Sequence, residues 1–237
     1  MRKRNKYLVV LVITLVVVAV AVAFIPPNEP RYQGKKLSEW VRAFGEAAGA
    51  RPFIPCAECG EAIRHIGTNA VPFLLSWIQY ETPPWKINVY NFANPILARL
   101  RISARFDDNK LNKRAEGSID AFVALDDKAT DAIGDLGKLV NDPVHERASF
   151  RAAAVLATLG TPGCVPLLTA VTNQRVQVSV RCYLIEVLAD EVEQRERVIT
   201  VVRQLALDPN PQIRSTVTNA WRSAEISNEA LEKVGSK

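Results

Sequence analysis

Cys56 and Cys59 have the spacing best suited to chemistry in this chain. A C-x-x-C pair can exchange a disulfide, or supply half of a four-ligand zinc site. Pro55 precedes the pair, and a helix beginning there would place Cys56 at a positive helix end, where a thiolate is stabilised. Zinc would need two more ligands, but Cys164, Cys182, His65 and His145 are scattered along the chain, so no metal is expected. A thioredoxin-like redox site needs flanking strands, and none is legible. An incidental disulfide and ordinary packing cysteines are the other readings of the pair. The two histidines belong to no nucleophile or metal motif, and the sequence contains no G-x-S-x-G, H-E-x-x-H or phosphate-cradling glycine loop. No catalytic, cofactor-binding or metal residues are therefore assigned. The carboxylate pairs Asp107-Asp108, Asp126-Asp127 and Asp190-Glu191 read as solvated loop or helix-end groups.

A second constellation suggests binding. Trp77, Tyr80, Trp85, Tyr90 and Phe92 straddle Pro83-Pro84 and are followed by Arg99, Arg101, Arg105, Lys110, Lys113 and Arg114. Trp and Tyr are the side chains most enriched in binding hot spots, and the clustered cations would attract an anionic surface such as lipid headgroups or an acidic partner. Trp85, Tyr90, Arg99, Arg101 and Arg105 are accordingly the candidate partner-binding residues, against the reading of a core or cap for the aromatics and a solvated helix end for the cations. Trp77, at helical spacing from Phe73 and Leu74, reads as core.

Charge argues against nucleic acid. The chain carries 30 Lys and Arg against 25 Asp and Glu, but four of the cations lie in residues 2–6, leaving 26 against 25 for the body. A nucleic-acid binder shows its excess on the folded domain.

The elements that must position these residues begin with a membrane segment. Tyr7 to Ile25 is uncharged, and Leu8 to Val22 contains only Thr14 as a polar residue. Nineteen helical residues span roughly 28 Å, close to a bilayer's hydrocarbon core. The basic flank at residues 1–6 stays cytoplasmic under the positive-inside rule, which sends the C-terminal body outside the cytoplasm. Ala19, Ala21 and Ala23 also allow a cleaved signal ending near Ala23, but the apolar run is longer than usual for an h-region and favours an uncleaved anchor. Residues 26–36, opening Pro26-Pro27-Asn28-Glu29-Pro30, read as an extended linker.

Leu37, Trp40, Val41 and Phe44 then fall at i, i+3, i+4 and i+7, which predicts an amphipathic helix ending near Gly45. From Cys56 onward short helical runs are punctuated by Gly, Pro, Asn and Asp, and the body is expected to be all-α. The runs resemble each other. Ile66-Gly67-Thr68 leading to Val71-Pro72 matches Leu159-Gly160-Thr161 leading to Val165-Pro166, and Leu125-Asp126 repeats the outline more weakly. Phe150-Arg151, Val180-Arg181 and Ile213-Arg214 each open an Ala-rich or aliphatic helix, with arginines 30 and 33 residues apart. Two helices and two turns fit that period.

Asp142-Pro143 leading to Phe150-Arg151-Ala152-Ala153, and Asp208-Pro209 leading to Ile213-Arg214, resemble the HEAT-repeat superfamily, in particular the short HEAT-like units of phycobilin lyases. Asp208 to Arg214 has the nearer spacing, and residues 82–114 depart from the pattern as an irregular unit. The resemblance implies an α-solenoid of stacked helix pairs over residues 37–237, in which Arg151, Arg181 and Arg214 are structural and no function is specified. The expectation is a membrane-tethered scaffold or adaptor for a protein or peptide partner, without catalysis or cofactor. The alternative is an enzyme or enzyme subunit, lyase-like through the resemblance or thiol-based at Cys56 and Cys59.

Overall fold

The computed structural model describes residues 28–48, 56–101, 106–189 and 195–222. The expected membrane helix at 7–25 lies outside these residues. Among the described residues no helix is long and apolar enough to cross a membrane. Arg31–Lys237 forms one compact unit, distinct from Met1–Pro30.

Among the described residues that unit is all-α apart from one hairpin. Strands β1 (Arg31–Tyr32) and β2 (Lys35–Lys36) pair antiparallel around Gln33 and Gly34, whose φ of 48° and 79° are those of the tight turn that hairpins favour. The last part of the predicted linker is thus folded. Tyr32 packs on Trp40 and His65 and donates its hydroxyl to Glu61 Oε1 at 3.0 Å. Two-residue strands carry no alternation, so periodicity could not reveal them.

Helix α1 spans Leu37–Ala48, and its predicted apolar face is buried at Leu37, Trp40 and Val41. Then come α2 (Ala57–Ile66), a 3-10 turn at Gly67–Ala70, α3 (Val71–Ile78), α4 (Pro84–Arg99) and α5 (Asn109–Leu125). A second 3-10 turn, Asp126–Ala132, leads to α6 (Ile133–Val140), α7 (Glu146–Thr158), α8 (Gly160–Thr172), α9 (Val178–Ala189) and α10 (Arg195–Leu205), followed by α11 over 211–222. With α4 excepted, each helix packs on its near neighbours in sequence. Helices α1, α2 and α3 lie on α5; α5 touches α7; α6 and α9 flank α7 and α8. Ala152, Ala153, Leu156 and Leu167 are buried in the α7–α8 seam, as their small and aliphatic types predict.

The closest crossing joins α1 to α5. A Cβ on Gly117 would stand 1.9 Å from the Val41 carbonyl oxygen, and one on Gly45 1.9 Å from that of Lys113. Only glycine at both positions lets the two backbones touch.

The recurring turn identified in the sequence has a recurring backbone. Gly67 and Asp126 cap the ends of α2 and α5, and Gly160 follows α7 as the first residue of α8, with φ of 66°, 54° and 60°. Glycine adopts this conformation without strain, whereas an aspartate does so at a cost. Asp126→Gly is therefore expected to raise stability by about 1 kcal/mol, read as a higher midpoint in urea at unchanged slope.

Candidate functional site

The irregular unit is built around a buried carboxylate. Pro83 is extended (φ −59°, ψ 143°) and Pro84 occupies the first turn of α4, where a missing N–H costs nothing. The helix runs to Arg99, and none of its residues is buried. The contacts holding it to the body are mainly polar. Tyr90 donates its hydroxyl to Asp108 Oδ1 at 2.7 Å, Lys86 Nζ reaches the same oxygen at 3.4 Å, and Tyr80 donates to Asp108 Oδ2. Further along, Asn94 Nδ2 donates to the Phe106 carbonyl at 3.0 Å and the Phe106 N–H donates back to Asn94 Oδ1 at 2.9 Å.

Burial alone would raise the Asp108 carboxyl, but the hydrogen bonds from Tyr80, Tyr90 and Lys86, with the Lys86 charge, hold it below the usual carboxylate range. The same cluster lifts both phenols. Burial and the bond to Asp108 push Tyr80 up to about 12, and the bond to Asp108 leads the rise at Tyr90. These tyrosines therefore stay neutral donors throughout the physiological range.

Lys86, Tyr90 and Asn94 recur at i and i+4, so they share one face of α4. A second face, turned by roughly 120° from the first, follows from the same periodicity. Trp85, Val89, Phe92, Ile96 and Leu100 step by four, three, four and four residues, making one stripe along the helix and its first following residue. Trp85 is 63% exposed, Phe92 74% and Leu100 64%; Val89 and Ile96 are exposed too. An ordinary surface helix turns such a stripe inward and its polar face to water. Here the polar face is anchored and the apolar face is presented. Exposed contiguous apolar surface of this kind marks interaction sites.

The predicted binding residues separate on this frame. Trp85 lies on the presented stripe, while Tyr90 faces the body as an anchor. Arg99 and Arg101 are exposed at the end of α4, and Arg105 lies outside the described residues. The basic run does not form a single patch: Lys113 Nζ donates to the Gly45 carbonyl at 3.1 Å, and the Arg114 guanidinium sits 4.6 Å from the Trp77 ring centre.

The three recurrent arginines all donate to backbone carbonyls at helix ends or turns. Arg151 donates to the Ile78 and Tyr80 carbonyls at 3.2 and 2.7 Å, satisfying the C-terminal end of α3, and grips Glu116 Oε1 with Nε and Nη2 at 2.9 and 2.7 Å. Arg181 donates from Nε to the Val171 carbonyl at 2.8 Å and pairs with buried Asp208. Arg214 donates to the Asp208 and Pro209 carbonyls at 2.7 and 3.0 Å. Cys56 and Cys59 are joined in a disulfide.

Asp108, Lys86 and Asn94 escaped the sequence reading, in which Asp107-Asp108 was a wet pair. The partners of Asp108 lie 18, 22 and 28 residues away, beyond any local pattern. The one available signal was the stripe itself, whose period leaves a separate polar face roughly 120° around the helix. No protein-family model matches the chain, and no significant match exists among curated proteins or solved structures.

Proposed function

We propose that this protein is a membrane-tethered α-solenoid scaffold, without catalysis of its own, that holds out the apolar stripe of α4 to a protein partner. The observation that carries the reading is the inverted polarity of α4: Lys86, Tyr90 and Asn94 anchor it, while Trp85, Val89, Phe92, Ile96 and Leu100 face solvent. A stripe with three- and four-residue steps is the pattern that packs against another helix, and aromatic anchors supply most of the energy in such interfaces. The solenoid part rests on the near-neighbour packing order and on the equivalent turns at Gly67, Asp126 and Gly160. Helix pairs of this kind cover each other's apolar edges and give extended binding surfaces. The tether rests on the apolar, uncharged run at 7–25 and its basic flank, with the N-terminus cytoplasmic and the helical domain outside.

The test compares the full chain with the variant Trp85→Glu/Phe92→Glu, each purified from detergent-solubilised membranes. Both positions are exposed, so the variant should keep its helical spectrum and melt within a few degrees of the parent. A stoichiometric protein bound to the parent should be lost at least about tenfold, since each anchor contributes upward of 1 kcal/mol. Equal recovery of the same proteins with both forms would refute the reading, and loss of binding to vesicles in place of a protein would reassign the stripe to lipid.

A further inference from the structure

The Cys56–Cys59 bond lies outside the scaffold reading and has its own geometry. Cys56 immediately precedes α2, and its carbonyl accepts the Cys59 and Gly60 amides at 3.1 and 3.2 Å, so its sulfur stands at the positive end of a ten-residue helix. No side-chain oxygen caps those amides. The two cysteines are unequal: Cys56 is half-exposed, whereas Cys59 is fully buried. As a staple the bond would achieve little. It spans a separation of three residues within a turn that backbone hydrogen bonds already close, and the entropy removed from an unfolded chain grows with loop length.

Beside the pair opens a cavity of about 310 Å³. Its wall includes Cys56, Gly60, Phe44, Val123, Arg64 and Asp120, and these last two are its charged groups. Asp120 makes no hydrogen bond or ion pair among the described residues. Burial pushes its carboxyl above the ordinary carboxylate range. A partly exposed cysteine at a helix N-terminus, a buried leaving sulfur behind it, and a partly desolvated acid in a largely apolar hollow are the components of thiol–disulfide exchange.

We propose that Cys56–Cys59 is a thiol–disulfide exchange site, with Cys56 as the attacked sulfur, for a cysteine-bearing peptide segment received in this cavity. The incoming thiol gives its proton to Asp120 and its sulfur attacks Cys56 Sγ. The Cys56–Cys59 bond breaks, its electron pair leaves on Cys59 Sγ, and that sulfur is protonated while Asp120 returns its own proton to water. The second thiol of the segment loses its proton and attacks the segment's own sulfur in the mixed disulfide, releasing Cys56, which is protonated in turn. Two thiols have become one disulfide, and the protein pair has gained two electrons and two protons. The reverse sequence with a disulfide of the glutathione class restores the oxidised pair.

Reduced and oxidised glutathione serve as the probe, with the full chain in detergent and the redox state read by alkylation and mass. The folded parent should equilibrate with the mixture at neutral pH while its melting temperature changes little on reduction. Cys59→Ala should accumulate glutathione on Cys56, and the reduced parent should alkylate at Cys56 with a midpoint below the value of about 8.5 for a free thiol. Asp120→Asn should slow exchange by about tenfold and remove one limb of its pH profile, an effect that a packing role would not produce. A bond that yields only when the protein unfolds, or a Cys56 of ordinary reactivity, overturns the proposal. Trp85→Glu/Phe92→Glu leaves exchange intact, so this site and the α4 surface stand or fall separately.

Discussion

Arg181→Ala is expected to destabilise the domain by about 3–5 kcal/mol, the usual consequence of leaving a buried charge without its partner. The side chains of Arg181 and Asp208 are only 4% and 5% exposed, and Arg181 also satisfies the Val171 carbonyl at the end of α8. In a domain of this size the melting temperature should fall by about 10 °C or more. Replacing both members with leucine should recover much of the loss, because two apolar groups need no desolvation and strand no charge.

The acid dependence follows from the sign of the shift at Asp208. Burial would raise this carboxyl, but the Arg181 hydrogen bond, the Asn210 amide and the Arg181 and Arg214 charges bring it below the ordinary value. A lowered folded value means that its stabilisation is present above the unfolded value of about 3.9 and disappears as pH falls through the folded one. In Arg181→Ala the carboxyl is buried without its partner and shifts upward, so acidification relieves the variant while it weakens the parent. The gap between them should begin to narrow above about pH 4, where the variant is relieved, and go on narrowing below it as the parent weakens, in denaturant titrations. A gap independent of pH would show that the loss is packing alone.

Gly117→Ala is the second large effect. The new methyl would fall 1.9 Å from the Val41 carbonyl oxygen, a backbone atom with no rotamer to adjust. Helices α1 and α5 would have to separate along their whole contact, loosening Leu37, Val41 and Phe122 together, at a cost of about 3 kcal/mol or more. Gly45→Ala should act in the same way, and the pair together should cost less than their sum, because one displacement accommodates both methyls. Gly134→Ala is the control, since its Cβ meets nothing within 4 Å; equal melting of Gly117→Ala and the parent would contradict the crossing.

Particular residues mark what the sequence made legible. Leu37, Trp40 and Val41 were readable as a buried face because a helix repeats its neighbours every 3.6 residues. Gly67, Asp126 and Gly160 were readable as one turn because it recurs with the same surroundings, and their shared left-handed backbone is its physical cause. The arginine spacing likewise pointed to groups that satisfy helix ends, as Arg151 and Arg181 do. The polarity of α4 was hidden. Its stripe is periodic, but period alone gives the same pattern whether the face is covered or bare. The choice is made by Asp108, which gathers Tyr80, Lys86 and Tyr90 from distant positions. Asp120 was invisible for the same reason: its altered acidity comes from burial, which no local motif encodes.

A photo-crosslinking amino acid at Phe92 in the full chain, activated in intact membranes, tests the scaffold most directly. A second chain carrying the same group at Asn94, on the anchored face, serves as comparison. The account predicts one dominant protein adduct from position 92, competed away by Trp85→Glu, and only intramolecular products from position 94. Adducts to lipid alone, or the same products from both positions, would contradict it.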